Sequence, residues 1–256
     1  YCTDANYDPY PRNCKNVIRE LEHLEKLGVK ELFFADKSFG HPYEIITPML
    51  EEMAKRFTFS WACYHHPNLY KPELLELMKK AGCHTIITGI DTFNYDSLKS
   101  YNRHVSKEKM EAMIFHADKL KIDVCADFIF GLEHETAADI ERTIEYSMNI
   151  PLDFASFNIA SPLPGSSIRE KALLDGKIKN GEDNFDTLGN KKILGNAHVT
   201  ADQLRKLRVK AVRSFYLRPS YIFRRLSRIN SLEHLSVQLL EMASMFKKLK
   251  VNTHWS

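Results

Sequence analysis

With 256 residues, a mass of 29.7 kDa and a formal net charge of +3, the chain is long enough to bury a full core and too weakly charged to indicate nucleic acid as a partner. Its composition, 44% hydrophobic and 27% charged, excludes a disordered chain, and no window of the sequence is apolar enough to predict a membrane span. The five cysteines are scattered and odd in number, which argues against a disulfide framework and predicts a reducing, cytoplasmic location.

The first residues are unusual for the start of a protein. The chain begins with Tyr1 and Cys2 and has no initiator methionine, so we expect an N-terminal portion to precede it. Residues 1–13 are rich in Pro, Asp and Asn, which is typical of a loop.

Short buried runs then alternate with amphipathic stretches through most of the chain. The predicted helices cover residues 14–27, 43–56, 72–81, 95–101, 106–120, 137–149 and 166–174. The predicted strands cover residues 31–36, 58–64, 84–91, 122–130 and 153–161. Capping residues such as Asn13, Ser106 and Thr136, and stop glycines such as Gly28 and Gly82, mark several helix ends.

This alternation predicts an α/β fold with a parallel sheet covered by helices. Right-handed crossovers favour either a barrel or a doubly wound sheet. Because no G-x-G-x-x-G sequence follows any strand, a dinucleotide-binding sheet is disfavoured. We therefore predict a partial, open parallel βα barrel, with a sixth strand expected before Tyr1.

The chain after residue 175 changes character. Residues 176–199 contain several Gly and Asn breakers and are predicted to form a loop or linker between the barrel, residues 1–175, and a helical extension, residues 200–256. Helices are predicted over 200–217, 219–229 and 231–249. The extension is basic, and its arginines are interpreted as a solvated face or, alternatively, as a site for an anionic ligand or membrane surface. These arginines are Arg205, Arg208, Arg213, Arg218, Arg224, Arg225 and Arg228.

Polar side chains fall at or just after the carboxyl ends of the predicted strands. In a parallel barrel these ends converge on one mouth, so the residues are candidates for a shared site. Gly89 and Gly131 would let a ligand approach the backbone, although both glycines are equally compatible with simple turns. The candidates are Asp36, His65, His66, Asp91, Asp127, Glu133 and Glu135, and each taken alone is also compatible with a loop residue or a helix cap.

The order of these segments resembles a known family. The stretch from Pro72 contains PELLELMKKAGCHTIITGID, then FIFGLEHET, IERTIEYSM and a strand leading to PLPGS, and SFYLRP follows in the tail. This series is similar to the radical S-adenosylmethionine (SAM) enzymes, and most similar to the branch that carries a cobalamin-binding domain upstream. The similarity extends over nearly the whole chain.

The resemblance implies a four-iron cluster held by three cysteine thiolates in a C-x-x-x-C-x-aromatic-C motif. Cys2 would be the third ligand, and the other two would lie three and seven residues upstream of it. In this family an electron from the cluster cleaves SAM, and the radical produced removes a hydrogen atom from a small-molecule substrate. The implied partners are therefore that substrate and an electron donor such as a flavodoxin or a ferredoxin, with cobalamin as a further cofactor if the upstream domain exists.

The resemblance also assigns cofactor-binding positions. Asp91 matches an acid that hydrogen-bonds the SAM ribose, and Asp36 falls where the SAM amino group is bound. Gly131 and Leu132 match the segment near adenine, and Asp127 is a further strand-end candidate. The chain departs from the family pattern at Asp91, where Glu is usual, and at residues 35–37, which lack the usual glycine pair.

Glu133 also stands where Pro is common, and His65 and His66 replace what is often an Arg. The remaining cysteines lack cluster spacing and are interpreted as core or helix residues. They are Cys14, Cys63, Cys83 and Cys125.

Two further functions remain open on the residues alone. The first is a metal-dependent hydrolase or lyase barrel that uses His65, His66, Asp91 and Asp127 around a divalent ion. Its weakness is that adjacent histidines on a strand point to opposite faces. The second is a catalytically inert, truncated barrel that binds partners through its basic helices. The substrate and the reaction outcome, whether methylation, cyclisation or rearrangement, are not predicted.

Overall fold

The computed structural model describes residues 10–227, which form a parallel five-stranded sheet with helices packed against it. The strands follow each other in chain order across the sheet, so every crossover joins two neighbours. They are β1 (Glu31–Phe34), β2 (Ser60–Tyr64), β3 (Cys83–Asp91), β4 (Asp123–Phe130) and β5 (Phe154–Ile159). This confirms the predicted α/β fold, a sheet that follows a partial barrel.

Nine helices lie within the described part of the chain. They are α1 (Cys14–Lys26), α2 (Tyr43–Arg56), α3 (Pro72–Lys80), α4 (Tyr95–Ser100), α5 (Lys107–Leu120), α6 (Ala137–Asn149), α7 (Ser167–Leu174), α8 (Ala201–Tyr216) and α9 (Pro219–Ser227). The helix predicted over 231–249 lies outside the described residues. None of the helices between residues 10 and 227 is both long and apolar enough to cross a bilayer.

The predicted caps explain where these helices begin. The Ser106 side chain accepts a hydrogen bond from the backbone N–H of Lys109, and Thr136 forms a reciprocal capping box with Asp139. Each cap satisfies backbone donors that the first turn of a helix leaves without a partner. Local side chains thus fix the start of α5 and of α6.

The two faces of the sheet differ in burial. On β4, the side chains of Val124, Ala126, Phe128 and Phe130 are fully buried beneath the helices, whereas alternate residues on the other face are only partly covered. Successive strand residues point to opposite faces, so this second face is the inner, lumen-facing side of the partial barrel. The packed face holds the core, and the inner face is left for a site.

The outer edge of β5 is covered by α8 instead of another strand. The Tyr216 hydroxyl donates to the carbonyl of Ala155 at 2.9 Å and accepts from the Ala155 N–H at 3.1 Å. Arg208 donates from Nε to the carbonyl of Phe157 at 2.7 Å. The Ile159 N–H donates to the carbonyl of Thr187 at 2.7 Å. Side chains of α8, together with the backbone of Thr187, therefore take the place of a strand partner along this edge.

Residues 176–199 are largely irregular, as their Gly and Asn residues predict. They nevertheless pack on the barrel and do not form a free linker between it and the helical extension. Ile178 and Phe185 are buried with Ala172 of α7, and Ile193 belongs to the main core. The hydroxyl of Ser161 also donates to the carbonyl of Asp186 at 2.5 Å. The composition predicts the loop but not the apolar side chains that anchor it.

Several arginines of the extension bind the body of the protein instead of facing solvent or an anionic ligand. The guanidinium of Arg224 donates to both carboxylate oxygens of Asp153, which is fully buried, and to Asp118 at 2.9 Å. Arg225 lies 3.5 Å from Asp123 and over the ring of Phe154. The interpretation as a solvated face is wrong for these residues, because the amino ends of β4 and β5 present the carboxylates that neutralise them.

Candidate functional site

The backbone at the carboxyl end of β3 is irregular. The pairing of β3 with β4 shifts register between Gly89 and Asp91, and Asp91 has φ of +64°. An aspartate tolerates this left-handed conformation better than most side chains do. The bulge turns the Asp91 side chain into the protein, where the residue is 4% exposed.

Arg103 binds Asp91 from the loop that follows α4. Its Nε donates to Oδ2 of Asp91 at 2.7 Å, and the same guanidinium donates to the carbonyl of Gly89 at 3.1 Å. A Cβ on Gly89 would lie 2.8 Å from the Arg103 guanidinium and 3.4 Å from Asp91 Oδ1. A larger residue at position 89 would therefore push the end of the Arg103 side chain aside and narrow the space beside the second carboxylate oxygen of Asp91.

Asp127 lies next to Gly89 in the sheet and next to Ser156 on the other side. Burial raises the pKa of the Asp127 carboxyl, the negative charge of Asp91 raises it further, and a hydrogen bond with Ser156 opposes both. Asn158 extends the polar row, because its Nδ2 donates to the Ser156 hydroxyl at 3.0 Å. The inner face of β4 and β5 thus offers hydrogen-bonding groups just below the mouth.

The loop between β4 and α6 is held by a buried carboxylate. Glu135 Oε2 accepts hydrogen bonds from the N–H groups of Gly131, at 2.8 Å, and Leu132, at 3.1 Å. Its Oε1 accepts from the hydroxyl of Thr92, the residue directly after Asp91. Gly131 has φ of +85°, and a Cβ there would lie 2.9 Å from Leu204, so only glycine fits. Glu135 therefore ties the carboxyl end of β3 to this loop.

Burial is the main influence on the pKa of the Glu135 carboxyl. The residue is fully buried, and the loss of hydration raises its pKa to about 7, although the hydrogen bonds from Thr92, Leu132 and Gly131 favour the charged form. The side chain of Leu132 is also fully buried, in a small cluster with Leu98 and Ala160. Leu132 thus helps to shape the loop through both its side chain and its backbone.

The two predicted histidines, His65 and His66, lie in different environments. His65 is buried and its ring Nδ1 lies 2.8 Å from the carbonyl of Phe39, and burial lowers its pKa. His66 is partly buried, caps a short 3-10 turn through Nδ1, and has a pKa lowered to about 4 by burial and by the charge of Arg103. A neutral His66 with Nδ1 as acceptor carries its proton on Nε2, so the ring is a hydrogen-bond donor near Arg103.

The other predicted acids lie on the rim. Asp36 is exposed just beyond β1. Glu133 forms an ion pair with Lys171 of α7, and its N–H donates to the Tyr101 hydroxyl at 3.3 Å. The structure thus brings Asp91, Asp127 and the 131–135 loop together and leaves Asp36 and Glu133 at the periphery.

Metal chemistry at these histidines is not supported. Within residues 10–227, no group of three or more His, Cys, Asp or Glu side chains is arranged to hold a metal ion. The four described cysteines, Cys14, Cys63, Cys83 and Cys125, are free thiols, and Cys2 lies outside the described residues. Since His65, His66, Asp91 and Asp127 do not form such a group, the structure gives no support to the interpretation as a metal-dependent hydrolase or lyase.

Residues 1–147 match the family model described as the Radical SAM superfamily. An uncharacterised methyltransferase of Pyrococcus horikoshii is 28% identical over 213 residues, covering 82% of this chain and 46% of the relative. A bacteriochlorophyllide d C-12(1)-methyltransferase of Chlorobaculum tepidum is 29% identical over 195 residues, covering 70% of this chain and 42% of the relative. The chain therefore spans less than half the length of these two curated relatives.

Solved structures resemble the fold. The methyltransferase TsrM of Kitasatospora setae, with cobalamin and a [4Fe-4S] cluster bound, matches with a TM-score of 0.54 and 18% identity over 58% of this chain and 29% of that one. The cobalamin-dependent enzyme OxsB, with aqua-cobalamin and SAM bound, matches with a TM-score of 0.61 and 11% identity over 93% of this chain and 42% of that one. At these identities the likeness is one of fold.

Proposed function

The chain belongs to the radical SAM superfamily, and from this premise we propose that it is the SAM-binding core of an enzyme that methylates a small organic substrate. The observation that carries the proposal is the family match over residues 1–147, which includes Cys2 and the first four strands. Methyl transfer is favoured over cyclisation or rearrangement because both curated relatives described above are methyltransferases.

We assign SAM to the carboxyl ends of β3 and β4, where the residues present fit its groups. The buried Asp91 carboxylate is a suitable acceptor for ribose hydroxyls, with Arg103 on Oδ2 and open backbone at Gly89 beside Oδ1. Gly131 and Leu132 lie on the loop assigned to adenine. Asp36, exposed beyond β1, is assigned to the amino group of SAM.

The inner face of the sheet is assigned to the substrate. Asp127, a cofactor-binding candidate from the sequence, we assign to the substrate instead, because it lies on this face and its carboxyl group has a raised pKa that suits hydrogen bonding to a substrate. Lower on the same face, Phe33 and Tyr64 are about half exposed, and their rings meet edge to face with centroids 5.3 Å apart. An apolar ring on the substrate would pack against these two side chains while its polar group faces Asp127.

The iron–sulfur cluster would be held by Cys2 together with two upstream cysteines, and when bound it supplies the electron that cleaves SAM. Cobalamin, held by a separate upstream domain, is proposed as a second cofactor. The electron would come from a flavodoxin or a ferredoxin. Four free thiols in the described chain favour a reducing, cytoplasmic location.

The test is anaerobic reconstitution of the protein expressed from its full reading frame. We expect about four irons and four sulfides per chain, an electron paramagnetic resonance signal on reduction, and release of 5′-deoxyadenosine from SAM. Methyl transfer is then checked with SAM labelled on its methyl group, by following the label into cobalamin.

Cys2→Ala should abolish the cluster, because a thiolate ligand is lost. Cys14→Ala is the matched control, since the Cys14 thiol is engaged with the carbonyl of Ile45 at 3.0 Å and should leave the cluster intact. A cluster that survives Cys2→Ala would overturn the assignment of Cys2. A reconstituted protein that binds no SAM would overturn the proposed function as a whole.

A further inference from the structure

Asn196, in the irregular segment before α8, uses every hydrogen-bonding position of its side-chain amide. Its Nδ2 donates to the carbonyls of Leu132, at 2.7 Å, and Glu135, at 2.9 Å. Its Oδ1 accepts from the N–H groups of His198 and Val199, each at 2.8 Å. An asparagine amide has two N–H donors and one acceptor oxygen, so this side chain is saturated and fixed in orientation.

The turn around Asn196 is itself tightly built. The Asn196 N–H donates to the carbonyl of Val199 at 3.0 Å, and a Cβ on Gly195 would lie only 2.5 Å from that carbonyl oxygen. Thr200 then caps α8 through a reciprocal capping box with Gln203. The turn can be this close because Gly195 carries no side chain. The close turn then places Asn196 against the β4–α6 loop.

A second contact links the same two regions. Leu204, in the first turn of α8, is fully buried and packs against Gly131, where an added Cβ would be 2.9 Å away. The loop 131–135 is thus held from two sides. Glu135 fixes its N–H groups from within, and Asn196 fixes two of its carbonyls from the segment that leads into α8.

We propose that Asn196 is a positioning residue for SAM, which holds the 131–135 loop in the conformation that receives the adenine end of the cofactor. The inference rests on the proposed function, which assigns Gly131 and Leu132 to that end. Without the Asn196 donors, two partly buried carbonyls lose their partners, and the loop gains alternative conformations that bind SAM less well. The start of α8 would then influence cofactor affinity without contacting the cofactor.

The experiment compares the reconstituted holoenzyme of the wild type with Asn196→Asp and Asn196→Ala. Asp is nearly isosteric and keeps the acceptor oxygen, but it places a carboxylate oxygen against the carbonyls of Leu132 and Glu135. We expect the Kd for SAM to rise about tenfold in both variants, with the iron content and the spectrum of the reduced cluster unchanged. Asn190→Asp, at an exposed position in the same segment, is the matched control and should keep the wild-type Kd.

A second readout needs no cofactor. Hydrogen exchange at the Gly131 and Leu132 amides should become about tenfold faster in Asn196→Asp and stay at the wild-type rate in Asn190→Asp. A SAM Kd within twofold of wild type in both Asn196 variants would overturn the proposal. Asp91→Asn distinguishes failure of the Asn196 proposal from failure of the proposed function. If Asp91→Asn weakens SAM binding while the Asn196 variants do not, only the proposed role of Asn196 is lost. A wild type that binds no SAM overturns both.

Discussion

The two ends of the sheet both bury carboxylates but treat them differently. At the amino end, Asp153 is fully buried against the guanidinium of Arg224, which also binds Asp118. At the carboxyl end, Glu135 is equally buried but accepts only neutral donors, namely two backbone N–H groups and a hydroxyl. Both ends pair one buried aspartate with an arginine, Asp153 with Arg224 and Asp91 with Arg103, but only the carboxyl end also leaves a buried carboxyl, that of Glu135, with neutral partners alone and able to change its charge.

This difference separates the end that anchors α9 from the end to which we assign the SAM site. A buried ion pair has both members desolvated and compensated, so it fixes α9 against the sheet. A carboxyl with a pKa of about 7, close to a half-buried Asp127 and a strained Asp91, belongs to a polar end that faces the lumen. Parallel folds put their chemistry at the same end, so the electrostatics agree with the topology.

The largest effect is expected at the amino end. Arg224→Ala would leave the Asp153 carboxylate buried without its guanidinium and should lower the free energy of unfolding by about 3–4 kcal/mol, measured by urea denaturation. Arg213→Ala, at an exposed position on α8, should cost less than about 0.5 kcal/mol. Equal losses of unfolding free energy in the two variants would contradict the distinction between arginines that bind buried carboxylates and arginines that face solvent.

The next effect is a pH dependence at the carboxyl end. Because the folded pKa of Glu135, about 7, lies above its ordinary value, the folded state holds the proton more tightly. Its contribution is therefore complete below about pH 4.5 and is lost as the pH rises through 7, by up to about 3 kcal/mol. Glu135→Gln cannot titrate and should flatten the unfolding free energy between pH 5 and 8. Glu133→Gln, in the same loop, should keep the wild-type slope.

A smaller effect is expected on cofactor affinity. Asp91→Asn keeps the shape of the side chain and tolerates φ of +64°, so the fold should survive. Loss of the charged acceptor should raise the Kd for SAM about thirtyfold, or about 2 kcal/mol, measured by equilibrium dialysis. Asp96→Asn on α4, whose side chain is 90% exposed, is the control and should not change the Kd.

The smallest effect concerns the edge of β5. Tyr216→Phe removes the hydroxyl that pairs with both backbone groups of Ala155 and should cost about 1 kcal/mol of unfolding free energy. Tyr10→Phe, at a residue that is 95% exposed, should leave the unfolding free energy unchanged. If SAM affinity fell in Tyr216→Phe as much as in Asp91→Asn, the separation of the edge from the site would be wrong.

The sequence predicts the elements well because each one carries a local signal. Periodicity and caps locate β4 and α6 within a residue or two, since both depend on neighbours along the chain. Arg103 could not be predicted, because it reaches Asp91 from the far side of α4, after Asn102 with φ of +54°. Its position depends on the path of a loop, which leaves no periodic pattern.

The same limit applies to the loop acids and to the segment before α8. Glu133 and Glu135 are two residues apart and chemically alike, yet only Glu135 turns inward, because the Gly131 turn presents its N–H groups there. Asn196 belongs to a stretch of Gly and Asn residues that is typical of a linker. Its contacts with Leu132 and Glu135 span more than sixty residues of sequence, a separation that composition does not encode.

The coverage of β5 by α8 has a consequence for the synthesis of the chain. Tyr216 is 61 residues downstream of Ala155, so β5 leaves the ribosome well before the helix that satisfies its edge. During that interval the strand presents unpaired N–H and carbonyl groups, which are a template for pairing with other nascent chains. The strand–helix units can form in order as they emerge, whereas protection from aggregation arrives only when α8 docks. Slow translation between residues 160 and 216 would therefore lower the yield of folded protein without changing the stability of the molecules that do fold.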